Sequence, residues 1–245
     1  MRQSNTYIII FTLVMTIVVG GVLAAANQLL KEDQKKSIEY DTKSQILSAV
    51  MDTKGADIMD VYSKRIKSIV VDINGEEITV GKDGAPVEAE KVDIAANFKL
   101  DYKERSYPVF MFMNESNPDK VEAYILPVYG SGLWDKIWGF IALKDDMNTI
   151  AGVSFAHKGE TPGLGARISS PEVQGRFVGK TLNDENGNYV SVAFQKGEVG
   201  DAVYAADNHK VDGLSGATLT AKGVNNMMKK YMDYYQKYFK KVKRN

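Results

Sequence analysis

The sequence predicts an α+β protein: a single N-terminal transmembrane helix, then a mixed, mostly antiparallel sheet, closed by a C-terminal helix. Three observations carry this. A long uncharged stretch opens the chain, short alternating apolar runs separated by turn signals fill its middle, and a helical apolar stripe closes it.

The anchor is assigned to residues 1–31. From Tyr7 to Leu30 no residue is charged. As a helix this stretch would be about 36 Å long, enough to cross a hydrocarbon core of roughly 30 Å. Two other readings fit the same letters. Leu23-Ala24-Ala25-Ala26 resembles a signal-peptide cleavage site, although the apolar run exceeds a signal core. A buried soluble helix is the other, although helices apolar on every face are rare in a small domain. Charge counting sets Arg2 on one side against Lys31, Lys35, Lys36 and Lys43 on the other. The positive-inside rule then points the following domain to the cytoplasm, but it weakens for long domains.

Residues 32–67 have no proline, and Ile46, Val50, Ile58 and Val61 recur at helical spacing, so a helical stalk with a break near Gly55 is expected. The remainder, 68–245, is the folded domain. Ile69 to Ile73, the turn Asn74-Gly75 and Glu77 to Val80 spell a β-hairpin. Gly84 to Asp101 reads as loop-rich. Four strands are predicted at Tyr107–Met113, Val121–Val128, Ile137–Leu143 and Ile150–Phe155, with turn residues between them. Pro171 to Gly179 suits a short helix capped by Ser170, and Tyr189 to Phe194 a further strand. The last helix is expected from Thr220 to about Lys243, with Met227, Tyr231, Tyr234 and Tyr238 as its apolar stripe. Its basic end (Lys237, Lys240, Lys241, Lys243, Arg244) opposes the helix dipole, or else meets lipid headgroups or a neighbouring protein.

Composition narrows the chemistry. The 245 residues hold 31 basic and 31 acidic side chains, so the basic footprint that nucleic-acid binding needs is missing. The lack of cysteine removes disulfides, thiolate metal sites, iron–sulfur ligation and cysteine nucleophiles together. His157 and His209 are too few for a multi-histidine metal site. An electron carrier made from this chain needs an organic cofactor. No dinucleotide fingerprint, catalytic triad or acid–base pair is visible, so no independent turnover is inferred.

The informative stretch is Asp212-Gly213-Leu214-Ser215-Gly216-Ala217-Thr218-Leu219-Thr220. Its glycines let backbone approach a ligand closely, and the helix that follows offers unpaired N–H groups suited to a phosphate. The plain alternative is a capped helix after a glycine turn, needing no ligand. A second stretch, Gly159-Glu160-Thr161-Pro162-Gly163-Leu164-Gly165-Ala166, reads either as an ordinary Pro-Gly turn or as a stiff loop poor in side chains, fit to lie against a flat ring.

The pattern Asp212-x-x-Ser215-Gly216-Ala217-Thr218 resembles the flavinylation motif of the FMN-binding-domain family. The Glu160 to Gly165 loop resembles one in the FMN-bearing subunits of the Na⁺-translocating NADH:quinone reductase and of the related Rnf complex. The run Gly130-Ser131-Gly132-Leu133-Trp134 with Trp138-Gly139-Phe140 favours the reductase. The resemblance implies FMN esterified through its phosphate to Thr218 by a flavin transferase that uses FAD and Mg²⁺. Asp212, Ser215, Gly216 and Ala217 would belong to the recognised pattern, and Thr220 to the phosphate contacts. Glu160, Thr161, Gly163, Leu164 and Gly165 would wall the flavin ring, with Trp134 and Trp138 either near it or in the core. It also implies an electron-relay role among the other subunits of a complex coupling NADH oxidation to quinone reduction and Na⁺ export. The flavin domain would then lie on the periplasmic side of the bacterial inner membrane. Two alternatives keep the same elements: the flavin protein of an Rnf complex, and a membrane-tethered scaffold without cofactor.

Overall fold

The computed structural model describes residues 4–81 and 84–243; Arg2 and Arg244 lie outside them. The first helix, α1, runs Asn5–Ser48. The chain divides into two compact units, the first ending at Lys43 and the second beginning at Ser44.

The first unit is one helix, long and apolar enough to cross a membrane. Two of its polar side chains are turned back on the helix: the Thr12 and Thr16 hydroxyls donate to the carbonyls of Ile8 and Thr12, each at 2.8 Å. Beyond Leu30 the surface becomes charged and carries pairs such as Lys43 with Glu39.

In the second unit α2 (Ile58–Arg65) leads without a break into the first strand, β1 (Ile66–Val71). A one-turn helix, α3 (Ile94–Asn97), precedes β2 (Tyr107–Met113), β3 (Val121–Ser131), β4 (Lys136–Lys144) and β5 (Ile150–His157). These five strands form an antiparallel meander in sequence order, with Phe110 facing Ile125, Tyr129 facing Trp138 and Ile141 facing Val153. Side-chain carboxylates and amides fix the turns. Asp146 Oδ1 accepts from the amides of Asn148 and Thr149, and Asn114 Oδ1 from those of Ser116 and Asn117.

The remaining elements are α4 (Pro171–Gly175), the short parallel pair β6 (Ala193–Phe194) and β7 (Lys210–Val211), and α5 (Thr218–Val242). Because successive strand residues face opposite sides, the sheet builds two cores. Tyr124, Leu126 and Val128 pack on one side in a cluster with Val224, Met228, Tyr231, Met232 and Tyr235 of α5. Ala123 and Ile125 face the other side, clustered with Ile46, Leu47, Ile58 and Tyr62. Residues 44–65, read from sequence as part of a stalk, belong instead to the second unit, with Ile46, Leu47, Ala49, Ile58 and Tyr62 buried in its core.

Three expectations need correction. The hairpin turn at Asn74-Gly75 forms, with Gly75 at φ +74, but its return arm makes only isolated bridges, Val71 to Glu77 and Val80 to Pro86, rather than a strand. Tyr189 to Phe194 forms a strand only at its end, with Tyr189 in an isolated bridge to Asn183, because Ser191 takes φ +75 and breaks the run. The last helix starts at Thr218 rather than Thr220. Its basic end is tied down: Lys237 donates to Asn74 at 2.9 Å and Lys241 pairs with Glu76.

Candidate functional site

The stretch from Asp212 to Ala217 connects β7 to α5 and is shaped from within. Asp212 is buried, and its carboxylate accepts from the amides of Val199 (3.0 Å), Gly200 (2.8 Å) and Gly213 (3.1 Å). A side chain at Gly213 would meet the Gly197 and Gln195 carbonyl oxygens at 2.1 and 2.2 Å, so only glycine fits. Gly216 adopts φ +73, the left-handed turn that swings the chain into the helix. Ser215 and Gly216 are exposed, while Ala217 is buried.

Thr218 is the first residue of α5 and is exposed. The cap position is Ala217, and no side chain caps the helix. The amides of its first turn are thus left to water or to an anion. A helix normally fills this role with a hydroxyl or carboxylate at the cap, so the capped-helix reading of the motif does not hold.

The loop from Gly159 to Ala166 stands beside this helix start, held by Glu160. That carboxylate is 4% exposed. Its Oε2 accepts from the Thr220 hydroxyl at 2.5 Å, and its Oε1 from the Trp134 amide at 3.0 Å. Burial acts to raise its pKa, but bonds from Thr220 and from the amides of Trp134, Asp135 and Leu133 outweigh it and hold the carboxyl below its usual value. One buried anion therefore joins three segments: the 131–135 turn, the 159–166 loop and the first turn of α5. Glycines make room for it. A side chain at Gly132 would come within 2.3 Å of Glu160 Oε1, and one at Gly165 within 2.5 Å of both Oε2 and the Thr220 hydroxyl.

The predicted site residues separate into two sets. Thr218, Ser215, Gly216, Thr161, Gly163 and Leu164 are at the surface. Asp212, Ala217, Thr220, Glu160 and Gly165 lie beneath it as the frame. The Thr220 hydroxyl points to Glu160, so a phosphate contact through it would have to break that bond. The Glu160 carboxylate likewise faces inward. Gly163 takes φ +76, and a side chain at Gly216 would meet Leu164 Cδ2 at 2.8 Å, so the two glycine-rich turns touch. Around them Leu133, Trp134, Leu164 and Leu219 are exposed apolar side chains on the segments Glu160 joins. Trp134 is 70% exposed and is no core residue, while Trp138 is half-buried.

Sequence reasoning missed Glu198. Its carboxylate receives both terminal nitrogens of Arg167 (2.9 and 2.6 Å), one of Arg176 (3.2 Å) and the Ser215 amide (3.1 Å). Arg176 in turn donates to the Gly213 carbonyl at 2.8 Å. Hydrogen bonding from Arg167 and then Ser215 holds the Glu198 carboxyl down at about 2. No local spacing relates Glu198 to Arg167, Arg176 or Ser215; only a pairing of distant charges could have pointed to it.

Residues 132–233 match the FMN-binding domain family. Over its greater length the chain is similar to NqrC, one of the subunits of the Na(+)-translocating NADH-quinone reductase. It is 35% identical to that protein of Pseudomonas aeruginosa, over 93% of this chain and 91% of that one. It is 34% identical to the one from Neisseria meningitidis, over 91% of this chain and 88% of that one. The crystal structure of the Parabacteroides distasonis protein superposes with a TM-score of 0.70 at 33% identity, covering 86% of this chain and 96% of that one. NqrC of Shewanella oneidensis gives a TM-score of 0.68 at 27% identity, covering 84% and 98%.

Proposed function

The chain belongs to the NqrC family of the Na(+)-translocating NADH-quinone reductase, an oxidoreductase complex, and on that premise we propose that Thr218 carries FMN through a phosphoester. Its role is electron transfer within that complex, and its partners are the other subunits. The observation that carries the attachment site is the position of Thr218: an exposed hydroxyl on the first turn of an uncapped helix, two residues after a left-handed glycine.

Bound FMN supplies reversible one- and two-electron chemistry, and the chain's own residues bind and place it. The Thr218 Oγ would become the ester oxygen as the pyrophosphate bond of FAD breaks, FMN passing to the threonine, AMP leaving and the hydroxyl proton going to solvent; its exposure leaves it open to the flavin transferase. First-turn amides of α5 would hold the phosphate, the helix's partial positive charge offsetting its negative charge. Asp212 and Glu198 hold the loop before Thr218 in the shape the transferase reads, through the Gly213 and Ser215 amides. Thr161, Gly163 and Leu164, with Leu133, Trp134 and Leu219, offer the ring a flat and largely apolar surface. Glu160 and Thr220 fix that surface from below. No proton donor or acceptor is needed at the ring for relay of single electrons.

The apolar helix anchors the chain in the inner membrane by one pass, with the flavin domain on the periplasmic side. Support for that side is the family pattern. Counting Arg2 against the four lysines after Leu30 points the other way, a rule that large translocated domains override. Electron flow through the complex is coupled to Na⁺ export, and the ion path lies in other subunits, since an apolar helix without ionisable residues offers none.

The test is intact mass and in-gel flavin fluorescence of the denatured chain, co-expressed with a flavin transferase. The wild type should carry an adduct of FMN mass and Thr218→Ala none. A wild type without flavin would overturn the attachment and leave a cofactor-free scaffold.

A further inference from the structure

Apart from the surface around Thr218, the second unit holds a cavity of about 260 Å³ between the 98–105 loop, the end of β3 and the middle of α5. Phe98, Tyr129, Tyr231 and Tyr234 form aromatic walls, Arg105 and Lys230 add positive charge, and no carboxylate lines it. A cavity of about 150 Å³ takes benzene, so this volume suits a compound of one or two rings.

One buried donor in the cavity, the Tyr231 hydroxyl hydrogen, has no acceptor. Tyr231 is 3% exposed, and its hydroxyl has no hydrogen-bond partner. Buried hydroxyls are almost always paired, and those of neighbouring Tyr107 and Tyr235 donate to the carbonyls of Tyr102 (2.6 Å) and Pro108 (2.7 Å). Burial pushes the Tyr231 pKa up to about 12, with the nearby Arg105 guanidinium pulling the other way. Arg105 is itself fixed. Its Nε and Nη2 donate to the Leu100 and Phe98 carbonyls at 3.0 and 2.8 Å, and its guanidinium stands 5.1 Å from the Phe98 ring centre and 5.9 Å from that of Tyr234. Nη1 is engaged by neither carbonyl. A held cation, an unpaired buried hydroxyl and aromatic walls are the parts of a site for an aromatic anion.

We propose that this cavity binds a small aromatic carboxylate, its ring against the aromatic walls and its carboxylate accepting from the Tyr231 hydroxyl and Arg105 Nη1. Lys230 adds long-range attraction at the surface. The proposal does not depend on the flavin at Thr218.

The experiment titrates the full chain, in lipid nanodiscs, with 2-naphthoate by calorimetry, and with 2-naphthalenemethanol as the uncharged control. Saturable naphthoate binding is expected, with the alcohol at least about tenfold weaker. Tyr231→Phe should weaken naphthoate about 3- to 10-fold, the size of one hydrogen bond. Lys230→Gln, at an exposed position that leaves the fold alone, should weaken it about 2- to 5-fold and reduce its salt dependence. No saturable binding, equal binding of the alcohol, or unchanged affinity in both variants would overturn the proposal. Competition by FMN on Thr218 would do so too, by assigning the cavity to the chain's own ring.

Discussion

The Thr220 hydroxyl lies 2.5 Å from Glu160 Oε2, joining the first turn of the last helix to a loop sixty residues earlier. Neither residue is at the surface, yet both fix where the surface residues stand. Removing the hydroxyl with Thr220→Val leaves a buried carboxylate short of one donor. The expected cost is about 1–3 kcal/mol, read as a lower midpoint in chemical denaturation. Glu160→Ala should cost more, because the amides of Leu133, Trp134 and Asp135 lose their acceptor as well. A midpoint unchanged in both variants would show that the pair does not hold the loops.

Gly216 is the residue that turns the chain toward Thr218. At φ +73, with Leu164 close to where a side chain would project, Gly216→Val should strain the turn by more than about 1 kcal/mol. Covalent flavin loading should fall well below the wild-type level while the far-ultraviolet circular dichroism stays the same. Full loading at the wild-type rate would mean that the turn's shape is not what the transferase reads.

Glu198 makes stability depend on pH. Its folded pKa of about 2 lies below the ~4.3 of an unfolded glutamate. The folded state thus favours the charged form, and the stability this brings is fully present above ~4.3 and lost as pH falls through about 2. Partial exposure screens the pair, so a contribution of about 1–2 kcal/mol is expected. Arg167→Gln removes the first cause of the shift. The drop in unfolding free energy between about pH 6 and about pH 3 should shrink by roughly 1 kcal/mol in that variant. An identical drop in both proteins would place the acid sensitivity elsewhere.

Trp134 is too exposed to support the core, so Trp134→Ala should leave the thermal midpoint within about 2 °C of wild type. Tryptophan beside a flavin quenches its emission. The variant's flavin fluorescence in the folded, loaded chain should therefore rise, and equal emission would put Trp134 away from the ring.

Membrane sidedness can be read by chemistry, because the chain has no cysteine of its own. Ser63→Cys, at an exposed position in the second unit, should react with a membrane-impermeant maleimide in intact spheroplasts. Asn5→Cys, at the start of α1, should react only after lysis. The reverse pattern would vindicate the lysine count over the family pattern.

Much of the fold was legible in the letters. The four strands from Tyr107 onward announce themselves because their apolar runs are bounded by Asn, Asp and Gly turns, local signals that local structure obeys. The Glu77 to Val80 arm carried the same signals and stopped at isolated bridges. The sequence had no means of telling that Gly75 would pack against the backbone of Tyr238, with Lys241 paired to Glu76. At the site, Thr218 and Gly216 were visible through their pattern. The inward turn of Thr220 and Glu160 was not, nor was the whole of Glu198, because each depends on partners far along the chain. Polar residues in a glycine-rich motif look alike on paper, whether they face a ligand or hold the backbone that does.

The meander gives the protein a sequence of events as well as a shape. Each strand pairs with its neighbour in the chain, so the sheet can zip up hairpin by hairpin through short loop closures. The helix bearing Thr218 has no such local partner and settles only when a sheet face exists to receive Tyr231 and Tyr235. The geometry around Thr218, the proposed attachment residue, is therefore expected to be among the last to mature. Flavin added there would mark chains that have finished folding, and colourless chains would be the ones that have not.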